Sequence, residues 1–291
     1  MKILQVVSSF PPAYSYGGAV KVSYEVSKEL TKRGHDVTVF TTDTLNSQSR
    51  INESTTQMEG IDVYRFRNLS NNLAAKNLTI APGMALNLRK TIKEFDVIHI
   101  HEYRSFQTIA ACHYAERYNI PYVLQPHGSL PRIIEKQGLK KIYDAVWGYK
   151  NLLNAEGIIT LTSVEAEQAV AMGVKENKIH IIANGVDLSQ WESVPSRGEF
   201  RAQYNIPSSM HVILYLGRLH PIKGVDLLIR AFGIVSKERD DCILVVVGPD
   251  NGSLSELERI TKELNLCSKV LFTGPLYGKD KFAVYSDSDI Y

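Results

Sequence analysis

The amino-acid sequence predicts an α/β protein with two doubly wound, parallel-sheet domains, the second of them incomplete. Three observations carry this. Short β-branched runs alternate with amphipathic segments, the alternation is interrupted once over residues 188–210, and it stops inside a new apolar run, Asp289-Ile290-Tyr291. Strand–helix alternation implies right-handed βαβ units around a parallel sheet. A chain of 291 residues suits two such domains better than one very large core.

In the first domain, Lys2–Val7 reads as a buried strand, Gly18–Arg33 as a helix and Asp36–Thr41 as a strand. Val22, Val26, Glu29–Leu30 and Arg33 are read as a stripe at helical spacing for that helix, and Gly34 stands where a left-handed C-terminal residue belongs. Asp43–Thr56 is polar and aperiodic, so a mobile loop is expected there. Strands follow at Ile61–Phe66 and Asp96–Ile100, then a helix near Ser105–Arg117 and a strand Pro121–Leu124. Leu139–Asn154 reads as helical, Gly157–Thr162 as a strand, Val164–Met172 as a helix and Lys178–Ile182 as a strand. The domain therefore spans residues 1–187.

Ser189–Pro207 carries two prolines and several serines, so residues 188–210 read as a linker. Residues 211–291 start a second series: strand His211–Leu216, helix Val225–Lys237, strand Cys242–Val247, helix Ser253–Leu264, strand Lys269–Phe272 and a last helical stretch, Lys279–Tyr285. Three or four strands would leave a hydrophobic sheet edge open, so this domain reads as cut short.

Bulk composition narrows the function classes. Apolar residues make up 44% and charged residues 22%, which excludes disorder. A net charge of +2 provides no global field for nucleic acid. Cys112, Cys242 and Cys267 are odd in number and widely spaced, which fits neither a disulfide framework nor a metal site and points to a reducing cytoplasm. No stretch is long and apolar enough to span a bilayer.

Two loops carry the chemistry. Gly217-Arg218-Leu219-His220-Pro221-Ile222-Lys223-Gly224 follows a strand and opens a helix, at the carboxyl edge of a parallel sheet where such sheets bind ligands. Its glycines permit close backbone approach, the helix start offers free N–H groups, and Arg218 and Lys223 add positive charge, a combination that suits a diphosphate. The spacing matches neither a Walker loop nor a dinucleotide fingerprint. The first βα loop, ending in Tyr16-Gly17-Gly18, is the second candidate, and two such edges facing one cleft could hold a diphosphate between them.

The series Tyr16-Gly17-Gly18, Asp96-Val97-Ile98-His99-Ile100-His101, Pro126-His127-Gly128, Asn184-Gly185-Val186-Asp187 and Gly217-Arg218 with Lys223-Gly224 resembles, in order and along essentially the whole chain, the retaining glycosyltransferases of family four. That resemblance implies the GT-B fold, two Rossmann-like domains with parallel sheets facing a cleft. It implies transfer of a hexosyl group from a nucleotide-diphosphate sugar to a glycan or lipid-linked acceptor, with retention and with no cofactor or metal. Gly17, Gly18, Gly217, Arg218 and Lys223 would bind the donor, and Arg218 and Lys223 would stabilise the departing diphosphate. His127 would orient the sugar or handle a proton.

His99 and His101 lie two apart on a strand and share one side. His101 is expected to line the cleft with Asn184, and His99 to sit in the core. Asp287-Ser288-Asp289 spells a metal-binding triplet, but two surface aspartates before a strand are read as turn chemistry. The glutamate-x7-glutamate element that such proteins use to recognise the donor sugar has no counterpart among these residues. That keeps two alternatives open: a non-catalytic, truncated nucleotide-binding remnant, and a sugar-nucleotide epimerase of the same fold. Residues 132–150 combine basic and apolar side chains, which leaves two readings open: a solvated helix with one core face, and peripheral contact with an anionic membrane surface at the inner face.

Overall fold

The computed structural model describes residues 1–46, 48–74, 78–132, 137–191 and 194–291. The chain divides into two compact units, Met1–Gly185 and Val186–Tyr291.

Unit 1 is built on eight strands: β1 (Lys2–Val6), β2 (Asp36–Thr42), β3 (Thr55–Met58), β4 (Ile61–Phe66), β5 (Val97–His101), β6 (Tyr122–Gln125), β7 (Gly157–Thr160) and β8 (Ile179–Ile181). Their order across the sheet is β3-β4-β2-β1-β5-β6-β7-β8. All neighbours pair in parallel except β3, which returns antiparallel on β4. Around the sheet lie α1 (Gly18–Lys32), α2 (Asn71–Ala74), α3 (Pro82–Thr91), α4 (Phe106–Tyr118), α5 (Gln137–Tyr143), α6 (Tyr149–Leu153) and α7 (Ser163–Ala171). Both faces are covered, which explains why the central strands read as nearly continuous apolar runs. Leu4, Val6, Ile98, Ile100 and Leu124 pack with Met84, Leu88 and Ala111 on one face. Val7, Val37, Val39 and Val63 pack against Tyr24 and Leu30 of α1 on the other.

Local signals set the helix ends. Ser105 caps α4 by accepting from the Thr108 amide at 3.1 Å, and Asn119 ends it in the left-handed conformation. Two expectations are corrected. The most buried residues of α1 are Val20, Ser23 and Ser27, with only Leu30 of the expected stripe (Val22, Val26, Glu29–Leu30, Arg33) packed on that core cluster, because serine hydroxyls turned back on the helix carbonyls can pack close to the sheet. The segment from Asp43 is tethered rather than loose: Asp43 holds Arg50 through two hydrogen bonds of 2.8 and 3.0 Å and accepts from the Asn68 amide at 2.9 Å. The helical stretch expected over Leu139–Asn154 is present, with a π turn, Asp144–Gly148, between α5 and α6.

Unit 2 carries β9 (His211–Leu216), β10 (Cys242–Val247) and β11 (Val270–Gly274), all parallel in the order β11-β10-β9. Its helices are α8 (Glu199–Gln203), α9 (Val225–Glu238), α10 (Leu254–Glu263) and α11 (Gly278–Asp287). Ile290 pairs in parallel with Ile213 on the free side of β9. Ile229, Phe232, Leu257 and Ile260 fill one face of this sheet, and Phe200, Val245, Ala283 and Val284 fill the other.

The region expected as a linker is part of this unit. Phe200 and Arg201 of α8 are buried, and Arg201 pairs with Asp287 and Asp289. Asp287 is therefore not a surface turn residue, while Asp289 lies at the surface with its carboxylate on Arg201. Asp287 is fully buried and accepts from the amides of Gly198 and Arg201 at 2.6 and 3.0 Å, while Asp289 accepts from the Val212 amide at 2.8 Å. A buried guanidinium must be paired, and the Asp-Ser-Asp triplet serves that need.

Candidate functional site

Open α/β sheets bind ligands outside the carboxyl ends of their strands, where the strand order reverses. In unit 1 the chain runs from β1 to β2 on one side and later returns to place β5 on the other, so the crevice lies beyond β1 and β5. In unit 2, β10 flanks β9 on one side and Ile290 on the other, so the equivalent place lies beyond β9. The loops singled out from the sequence leave from these places.

Beyond β1, the loop over residues 7–17 is stapled to its surroundings. The Ser8 carbonyl accepts from the Thr42 hydroxyl at 2.7 Å, and the Pro11 carbonyl accepts from buried Arg65 at 2.9 Å. Gly17 has φ 106 and ψ −159, a conformation open to glycine and strained for other residues, and it delivers the chain into α1. Gly18 is exposed, with no atom within 4 Å of where a Cβ would stand.

Beyond β5 and β6 the polar groups converge. His101 is buried, which corrects its expected place lining a cleft. Its Nε2 lies 2.7 Å from Gln5 Oε1 and its Nδ1 lies 2.9 Å from Nε2 of His127. His127 is half-buried and stacks on His101 with ring centroids 5.2 Å apart. His99 is buried as expected, its ring 4.1 Å from that of His101. Burial lowers all three imidazoles: His99 and His127 to about 4, and His101 well below its ordinary value. At neutral pH these rings are uncharged.

Two non-glycine residues hold left-handed backbone at the ends of these adjacent strands, Glu102 (φ 72) and His127 (φ 53). Such conformations persist where neighbours enforce them, and they cluster at functional sites. Here the neighbours are identifiable. Ser8 donates to Glu102, and the Gly128 amide donates to Glu165 at 2.6 Å, which also takes the Leu161 amide at 2.8 Å. Burial raises Glu102 to about 7, against the opposing effect of the Ser8 hydrogen bond. Arg104 donates to the carbonyls of Ser129 and Leu130 and pairs with fully buried Asp144, which also takes Arg132 at 2.8 Å. The π turn thus supplies the carboxylate that anchors the loop after His127.

In unit 2 the loop after β9 is shaped by backbone. Leu219 donates to the Pro249 carbonyl at 2.9 Å and the Asn251 amide donates to the Leu219 carbonyl at 3.0 Å, tying it to the loop after β10. A Cβ on Gly248 would stand 1.8 Å from the Gly217 carbonyl oxygen, so the two loops touch through bare backbone. Gly224 adopts the left-handed conformation (φ 64) and starts α9. Arg218 is half-buried and Lys223 exposed, and neither forms an ion pair among the described residues. Lys223 stands just before the first amides of α9 and Arg218 lies on the same loop, a combination that favours an anion.

Within unit 1 the structure brings His101 and His127 into contact at the edge from which the Gly17–Gly18 loop leaves. Within unit 2 it places Gly217, Arg218 and Lys223 on one loop. Asn184 is exposed at the end of unit 1. Among the described residues no group of three metal-ligating side chains exists, and no helix is long and apolar enough to cross a membrane. Sequence reading missed Gln5, Glu102, Arg104, Asp144, Glu165 and Gly248. Only Gly248 carried a signal, as a glycine closing the strand next to β9.

Residues 16–190 match the family model described as Glycosyltransferase Family 4. The chain belongs to that family. Residues 196–291 match a second model, Glycosyl transferases group 1. Over its full length this family 4 chain is 28% identical to an uncharacterized glycosyltransferase of Methanocaldococcus jannaschii, MJ1607, covering 73% of that protein. With the D-inositol 3-phosphate glycosyltransferase of Kineococcus radiotolerans it shares 25% identity over 81% of its own length and 57% of the relative's. With that of Mycolicibacterium smegmatis it shares 24%, covering 94% and 64%. The chain thus spans a little over half to three quarters of these relatives.

Among solved structures, Anabaena HepE in complex with UDP and glucose superposes with a TM-score of 0.75 at 21% identity, covering 99% of this chain and 72% of that one. Sucrose-phosphate synthase from Thermosynechococcus elongatus gives 0.76 at 18%, covering 99% and 74%. These likenesses show the fold, which is GT-B.

Proposed function

We propose that this family 4 chain binds a nucleoside diphosphate sugar and transfers its hexosyl group, with retention, to a glycan or lipid-linked acceptor. The observation that carries this is the loop after β9, where Arg218 and Lys223 stand without carboxylate partners among the described residues, at a helix start and a sheet switch point. As the bond between the sugar's anomeric carbon and the diphosphate breaks, negative charge grows on the leaving oxygens. Arg218, Lys223 and the amides opening α9 stabilise that charge more in the transition state than in the ground state. The acceptor hydroxyl attacks from the face the diphosphate leaves, and its proton passes to the leaving phosphate. Gly17 and Gly18 let the first loop approach the donor, and His127 orients the transferred sugar.

HepE was solved with UDP and glucose, which makes UDP the first nucleotide to try. The test is a thermal-shift panel of UDP-, GDP- and ADP-sugars, since a ligand that binds only the folded chain raises its melting temperature. A rise with one nucleotide class supports the reading, and no rise with any of them overturns it.

The acceptor side of the proposal includes a peripheral membrane surface. Leu139, Ile142, Val146 and Trp147 are exposed on α5 and the π turn, beside exposed Lys141. Of the stretch expected to dock, residues 133–136 lie outside those described. An apolar face with a cationic flank suits an anionic bilayer.

A further inference from the structure

We infer that Gln5 and His101 fix which ring nitrogen of His127 carries its proton, leaving Nδ1 of His127 as a bare hydrogen-bond acceptor. The three residues sit on neighbouring strands or just beyond them: Gln5 in β1, His101 closing β5, His127 two residues past β6. They form one chain of hydrogen bonds, Gln5 Oε1 to His101 Nε2 at 2.7 Å and His101 Nδ1 to His127 Nε2 at 2.9 Å.

A neutral imidazole has one donor nitrogen and one acceptor nitrogen, so the polarity of the first bond dictates that of the second. Burial keeps both rings neutral. An amide oxygen accepts and cannot donate, so His101 carries its proton on Nε2. Its Nδ1 is then an acceptor, and His127 must donate from its own Nε2. Nδ1 of His127 is left without a proton and has no partner among the described residues.

The ring is aimed as well as polarised. His101 and His127 stack within 10° of parallel, and Glu165 holds the turn through the Gly128 amide at 2.6 Å. The left-handed backbone at His127 (φ 53) is what lets the side chain fold back over the strand end to reach His101. Gln5 and His101 are positioning residues in this scheme, touching no ligand themselves. That the bare Nδ1 meets a sugar hydroxyl rests on the proposed function, but the tautomer does not.

The test is long-range proton–nitrogen NMR on the full chain labelled with 15N-histidine, near neutral pH, with the His127 signals identified by their loss in His127→Gln. The expected result is a protonated, pyrrole-type Nε2 and an unprotonated, pyridine-type Nδ1 on His127. Gln5→Leu removes the acceptor oxygen and should shift both His127 nitrogens toward a mixture, erasing a bias of about twofold to tenfold, the worth of one hydrogen bond. A wild-type His127 protonated on Nδ1, or an unchanged pattern in folded Gln5→Leu, overturns the inference. If Gln5→Leu fails to fold, the wild-type spectrum decides alone. A chain that binds no nucleotide sugar would sink the proposed function and leave this measurement valid.

Discussion

At the switch point of unit 1, polar groups have been drawn out of water and locked to one another. At that of unit 2, the charged side chains are left in solvent and only the backbone is locked. Under the proposed function, the difference follows from what each edge has to do. Three neutral imidazoles, a carboxyl shifted to about 7 and a buried Asp144 held by Arg104 and half-exposed Arg132 make a site with directional hydrogen bonds and little net field, suited to sugar hydroxyls. Two cations on a loop shaped by Gly217, Gly224 and Gly248 make a site with field and little directionality, suited to phosphate. In unit 1, therefore, side-chain changes should act first on stability. In unit 2 they should act first on ligand.

The largest effect expected is Asp144→Ala. Removing one member of a buried ion cluster leaves Arg104 an uncompensated charge, and such losses run to about 3–5 kcal/mol. Urea denaturation should show it, and a loss under about 1 kcal/mol would break the contrast from the unit 1 side. Arg218→Ala should do the opposite. It should weaken UDP binding by about 1.5–3 kcal/mol, the scale of hydrogen bonds to charged groups, while changing unfolding stability by under about 0.5 kcal/mol.

The pH response sharpens the same comparison. His99 and His127 have folded pKa values near 4, below the ordinary 6.5, so the unfolded chain binds more protons between those limits. His101 works in the same direction. Their contribution is present above about pH 6.5 and lost as pH falls toward 4. Glu102 opposes it. Its folded value near 7 exceeds the ordinary 4.5, so its neutral form adds stability at low pH that is lost as pH rises through that window. Three histidines should outweigh one carboxyl. The melting temperature should fall from pH 6.5 to pH 4.5, and Glu102→Gln should steepen the fall. A flat profile, or a shallower one in Glu102→Gln, would show these groups to be solvated.

The smallest effect is at the membrane face. Trp147→Ala should reduce co-sedimentation with anionic vesicles severalfold and leave UDP affinity alone. No binding of the wild-type chain to such vesicles would remove the membrane from the proposal.

Most of the fold was legible because it rests on short-range pattern. The apolar runs of β1, β5, β9 and β10 and the glycines ending in αL conformation mark their elements without help from the rest of the chain. What escaped depends on partners far away in sequence. Asp144 needs Arg104, 40 positions earlier, before its burial makes sense. Asp287 needs Arg201, 86 positions earlier, which is why a structural clamp reads as turn chemistry and α8 as a linker. His101 was placed at the right end of the right strand. Nothing local could show that Gln5, 96 positions before it, draws it inside.

The most direct measurement is an isothermal titration of UDP into the wild-type chain and into Lys223→Ala. Removal of an exposed cation with no ion-pair partner among the described residues should leave the fold intact and lower UDP affinity by on the order of tenfold or more. Equal affinities for the two proteins would contradict the assignment of the loop after β9 as the diphosphate site.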